Sequence, residues 1–139
     1  MGNKFDNKSP VIIFSINSPY DSCEELAIVI KDLELLCGRL ISVKQVYGMY
    51  ANKIEPSYVV CAEDPTVESA VTHLCKIWNQ ECYLYLDGST QRKAYFKYAT
   101  GSCVYQGLWK TVTVSESRRY TGFTHDPTTG LRYVIEYGE

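Results

Sequence analysis

Tyr83 and Tyr85 alternate along one short run, "CYLYL", and Lys93, Tyr95 and Lys97 alternate along the next, "KAYFKY". Arg118 and Arg119 follow in "SESRRYTGF", and Arg132 lies in the last apolar stretch, "LRYVIEYG". Aromatic faces interleaved with cations could hold an anionic, ring-bearing ligand such as a nucleotide, because rings stack on tyrosine and phosphates meet lysine or arginine. Tyr83, Tyr85, Lys93, Tyr95, Lys97, Arg118, Arg119 and Arg132 are therefore the candidate ligand-binding residues. The chain has 12 tyrosines against four phenylalanines, and each buried tyrosine must find a partner for its hydroxyl. That excess points to many half-exposed rings. The competing reading packs Tyr83 and Tyr85 under the C-terminal strands while the lysines lay their stems on apolar surface and reach water.

Other chemistries have little material. The two histidines are His73 and His125. His73 has Ser69 and Ile77 at helical spacing, neither of them a metal ligand, and His125-Asp126-Pro127 reads as turn chemistry. No C-x-x-C pair occurs among Cys23, Cys37, Cys61, Cys75, Cys82 and Cys103, so the spacing of a zinc site is missing. These cysteines read as free thiols. Phosphate-cradling glycine loops and a nucleophile elbow are absent. Glu24-Glu25 and Glu63-Asp64 read as helix-start residues, favoured there by the helix dipole. No catalytic residue, cofactor or metal is assigned, and the expectation is a protein that is not an enzyme.

The elements that must position the tyrosines follow from periodicity. At 139 residues, 45% hydrophobic and 22% charged, the chain is expected to form one domain over 10–139 behind a flexible tail, 1–9. "VIIFSI" reads as a buried strand and "SCEELAIVIKDLELLCG" as a helix, with Ser22 and Glu25 as a capping box and Gly38 as its stop. Residues 40–50 and 57–62 read as strands. Asp64 and Pro65 open a second helix. The hairpin 82–98 follows, then "CVYQGLWKTVTV" with a bulge at Gly107, a single helical turn in "SESRRYTGF", and a final strand. The fold class is therefore α+β: a ferredoxin-like β-α-β-β-α-β unit with a C-terminal antiparallel β extension.

"IFSIN", residues 13–17, resembles the first-strand motif of RNA-recognition (RRM) domains, in which Phe14 and Tyr58 would stack bases. The third-strand counterpart is missing from "IEPSYVV", and a net charge of −2 argues against nucleic acid as a partner.

"EPSYVV", "HLCKIWNQECYLYLDG", "YQGLWKTVTVSES" and "YTGFTHDPTTGLRYVI" together resemble small uncharacterised bacteriophage-encoded accessory proteins. The likeness lies in feature order: Gln80-Glu81 before a hairpin, then Gly107-x-Trp109, then Tyr120-Thr121. It implies host takeover or evasion of host immunity, exerted by binding. The expected function is thus a non-catalytic, phage-encoded protein that binds a nucleotide-like anionic ligand in the host cytoplasm. The alternatives are a protein–protein module that blocks a host enzyme, with self-association open, or an RRM-like RNA binder. No apolar run is long enough for a membrane helix, and no membrane partner is expected.

Overall fold

Every residue of "VIIF" is buried, which a strand allows only when both its faces are covered. The computed structural model describes residues 9–88 and 91–137 and gives the reason. Val11–Phe14 forms β1, followed by α1 (Ser22–Cys37), β2 (Lys44–Tyr50), β3 (Lys53–Cys61), α2 (Pro65–Ile77) and β4 (Cys82–Leu86). Then come β5 (Lys93–Tyr98), β6 (Cys103–Val112), α3 (Val114–Ser117), β7 (Gly122–His125) and β8 (Arg132–Glu136). The strands close into an antiparallel barrel in the order β1-β3-β2-β7-β8-β6-β5-β4. The inward face of β1, Val11 and Ile13, meets Val46, Val59, Leu86, Ala94 and Tyr133 inside the barrel. Its outward face, Ile12 and Phe14, meets Val29 and Leu33 of α1 and Val67, Val71 and Leu74 of α2.

The ferredoxin-like α+β architecture is therefore corrected. The order of the first six elements is as expected, but β5 to β8 do not widen an open sheet or fold over its face. They complete a closed wall, with β5 pairing to β4 on one side and β7 to β2 on the other. The long helices α1 and α2 cover the outside of β1, β3 and β4, and the single turn of α3 lies against β6 and β8.

Local signals explain the helices. Asp64 caps α2 by accepting from the Thr66 amide, and Pro65 occupies its first position. Gly38 ends α1 in the left-handed conformation. The expected Ser22/Glu25 capping box does not form. Asp21 is the cap, accepting from the Glu24 amide at 2.9 Å. The Glu25 carboxylate is instead buried against the barrel, where it accepts a 2.5 Å bond from the Tyr58 hydroxyl and another from Ser18. The strand expected over 40–50 starts only at Lys44, and Leu40 is 87% exposed. All six cysteines are free thiols, with Cys75 buried and Cys23 and Cys103 exposed. The expected tail lies outside the described residues except for Ser9. None of the described helices is long and apolar enough to cross a membrane.

Gly107 makes the bulge that lets β6 turn around the barrel. The β5–β6 register slips between Ala94 and Tyr95, and Gly107 has φ of 136°. A β-carbon there would lie 2.4 Å from the Glu136 carbonyl oxygen of β8. Gly107→Ala is expected to cost at least about 1–3 kcal/mol from backbone conformation alone, before the clash is counted. Urea unfolding of the two proteins checks it, and equal midpoints would refute it.

One end of the barrel is closed by charge. Lys44 of β2 forms an ion pair with Asp126, whose side chain is fully buried while that of Lys44 is 17% exposed. Asp126 also accepts from the Thr128 amide at 3.0 Å, and its main chain bonds to Leu131 and Gly130. The turn between β7 and β8 is tied to this plug.

Candidate functional site

On β4, alternate residues point to opposite sides of the wall. Leu84 and Leu86 face the barrel interior, and Tyr83 and Tyr85 face out beneath α2. The strand pairing sets Tyr83 opposite Lys97 and Tyr85 opposite Tyr95. This brings four of the expected ligand residues onto one outer face, with Lys93 at its exposed end.

The tyrosine face is partly core. Tyr83 is 6% exposed, and its hydroxyl donates to the Glu68 carboxylate at 2.7 Å. Thr72 Oγ1 lies 3.2 Å from that hydroxyl and 2.9 Å from the Glu68 carbonyl oxygen. Burial first, then the neighbouring Glu68 carboxylate, pushes the Tyr83 hydroxyl well above its ordinary pKa, although Thr72 opposes this. That direction agrees with the hydroxyl's role as donor to Glu68. Tyr85 is only half-buried. Burial raises its pKa as well, with Lys97 opposing.

Lys97 joins the two rings to the carboxylate. Its Nζ lies 2.8 Å from the same Glu68 oxygen and 3.9 Å from the centroid of the Tyr85 ring. Tyr95 packs against Tyr105 of β6 at 5.4 Å between centroids. Beside them a surface cavity of about 460 Å³ is lined by Pro65, Glu68, Thr72, His73, Lys76 and Tyr83. The grouping offers a carboxylate, an ammonium, a buried phenol and half-open aromatic faces together. Cations are favoured between a carboxylate and an aromatic face, and Lys97 occupies such a position.

The three arginines do not join this group. Arg118 and Arg119 are exposed beyond α3. Arg132 stacks over Phe123 at 4.4 Å and donates to His125 and Ser117 at 3.3 and 3.0 Å. Lys97 pairs with Cys103 and Arg132 with Val112, at opposite ends of β6. At about 3.3 Å a residue these ends are roughly 25–30 Å apart. The RRM reading also lacks its surface, since Phe14 and Tyr58 are 2% and 0% exposed beneath the helices.

Sequence reasoning missed Glu68 and Thr72. The signal was there: they are polar residues four apart, one step along from the buried pair Val67 and Val71. They therefore flank the apolar stripe and face whatever that stripe covers.

No curated protein sequence matches the chain. A family model described as the S-Adenosylmethionine lyase family matches residues 22–136, a span that runs from the start of α1 to the end of β8 and contains Glu68, Tyr83, Tyr85 and Lys97. A lyase is an enzyme, so the expectation of a non-catalytic binding protein is overturned, and the family's name implies a small-molecule ligand. From its first helix to its last strand, this chain belongs to the S-adenosylmethionine lyase family.

Proposed function

We propose that the protein cleaves S-adenosylmethionine at the outer face of β4 and β5, with Glu68, Tyr83, Tyr85 and Lys97 as its central residues. The observation that carries this is their convergence within the family-matched span. The substrate bears a sulfonium and an ammonium, a carboxylate, and a purine ring. Glu68 suits the positive groups, Lys97 the carboxylate, and the half-open faces of Tyr85 and Tyr95 the ring. Glu68 beside Lys97 gives the face a negative group as well as a positive one, which suits a substrate that carries both charges.

The chemistry asks little of the protein beyond position and charge. When a carbon–sulfur bond of a sulfonium breaks, its electron pair moves to sulfur and a neutral thioether leaves. The carbon left electron-poor is satisfied within the substrate: its own carboxylate closes on that carbon to form a ring ester, or a neighbouring C–H bond gives up its proton to a base and becomes a double bond, so no water is added. Binding draws the substrate to Glu68, and Tyr83 holds that carboxylate in place from beneath. The phage resemblance adds a setting: removing a methyl donor would disarm host defences that depend on methylation.

Incubating the purified protein with S-adenosylmethionine alone tests the reading. The expected result is catalytic loss of the sulfonium with matching appearance of an uncharged thioether, followed by cation-exchange chromatography. Binding with no turnover would overturn it.

A further inference from the structure

The barrel has a second cavity, on the other side of β4 from Glu68. It occupies the end of the barrel away from the Lys44–Asp126 plug and measures about 580 Å³, within the range of small-molecule sites. An eight-stranded barrel is just wide enough to be filled by side chains or to hold one small ligand. Leu84, Phe96, Trp109 and Tyr133 form its walls, and Tyr50 and Tyr137 stand at its mouth. Trp109 and Tyr133 stack at 5.2 Å with planes only 10° apart; Tyr133 is buried behind, and half-buried Trp109 offers the flat surface. Ser57, Thr121 and Thr124 add hydroxyls, and the charged lining residues are one lysine and one glutamate, Lys53 and Glu55, both exposed.

Gly48 keeps space open. It shares the inward parity of Val46, lies opposite Thr124 and Glu55 and lines the cavity. A β-carbon there would make only ordinary contact, 3.6 Å from Ser57 Oγ. A larger side chain could therefore grow into the cavity without straining the backbone.

We infer that this barrel mouth is a second binding site, for a neutral, planar heteroaromatic molecule of the purine nucleoside class. Aromatic walls select a flat ring over a flexible acyl chain, hydroxyls can meet ring nitrogens or sugar oxygens, and balanced charge at the mouth favours no ion. The site does not rest on the catalytic reading, since the wall of β4 separates the two.

Adenosine is the probe. Trp78→Phe leaves Trp109 as the sole tryptophan, so its emission reports the cavity. Adenosine is expected to change it saturably with Kd below ~1 mM. Gly48→Leu, made in that background, should raise Kd at least ~10-fold, and Glu68→Gln should change it less than ~2-fold, as expected for independent sites. Turnover of S-adenosylmethionine by Gly48→Leu should persist, which separates the failure of this inference from that of the catalytic one. No saturable change, or a loss in Glu68→Gln rather than Gly48→Leu, would overturn the second site. Should Gly48→Leu not fold, crystals of the natural protein soaked with 8-bromoadenosine decide: anomalous bromine signal beside Trp109 supports it, and signal elsewhere or none refutes it.

Discussion

Glutamine in place of Glu68 is expected to cut turnover of S-adenosylmethionine by ~10²–10³-fold while the fold survives. The substitution keeps the shape of the side chain and an oxygen able to accept from Tyr83, whose hydroxyl lies at 2.7 Å. It removes the negative charge that faces Lys97 and, on our reading, the substrate's positive centre. The structural cost should be small. The Glu68–Lys97 pair is partly exposed, with both side chains at 28%, and such pairs contribute roughly 1 kcal/mol or less. Initial rates from thioether release, taken with a thermal melt, separate the two effects. A variant that retains more than about a tenth of the activity would remove Glu68 from the chemistry, since a group acting on the transition state is worth more than that.

A large effect on stability is expected at Asp126. Asp126→Ala should cost about 3 kcal/mol, near the lower end for removing one partner of a buried pair, because Lys44 is 17% exposed and can reach water. In a chain of 139 residues that loss lowers Tm by roughly 10 °C. The same group predicts a pH dependence. Burial works to raise the Asp126 pKa, but the Lys44 ammonium and the bonds from Thr128 and Thr129 outweigh it and hold the carboxyl below its ordinary value. A depressed folded value means that the stabilisation is present above the unfolded value of about 3.9 and is lost as pH falls through the folded one. Urea midpoints should therefore fall more steeply below about pH 4 in the natural protein than in Asp126→Asn. Parallel curves would assign the acid sensitivity to other carboxylates, such as the low-shifted Asp21 and Glu116.

Much of the local structure was legible in the residues. Asp64-Pro65 opens a helix, Gly38 closes one, and Gly107 interrupts an alternating run because a side chain there would strike the neighbouring strand. Closure was not legible. The pairing that seals the barrel, β2 with β7, joins segments about 75 residues apart, and nothing near Tyr47 encodes the partner's address. The first six elements have the same order in an open sheet, so periodicity could not separate the two. The tyrosine face shows the same limit. Alternation told that Tyr83 and Tyr85 share a side, but what lies over them is decided by α2. The enzyme was missed for a chemical reason. A search for histidine bases and cysteine nucleophiles passes over a substrate that carries its own leaving group, for which a placed carboxylate among rings can suffice.

The circular strand order has a consequence for encounters with other molecules. In an open sheet the outermost strands leave a column of peptide groups that can recruit a foreign segment. Here, among the described residues, each strand has a neighbour on both flanks, so that route is shut. A macromolecule that approaches this protein must be recognised by its side-chain relief, and a destabilised copy would have to unzip a seam before it could template misassembly.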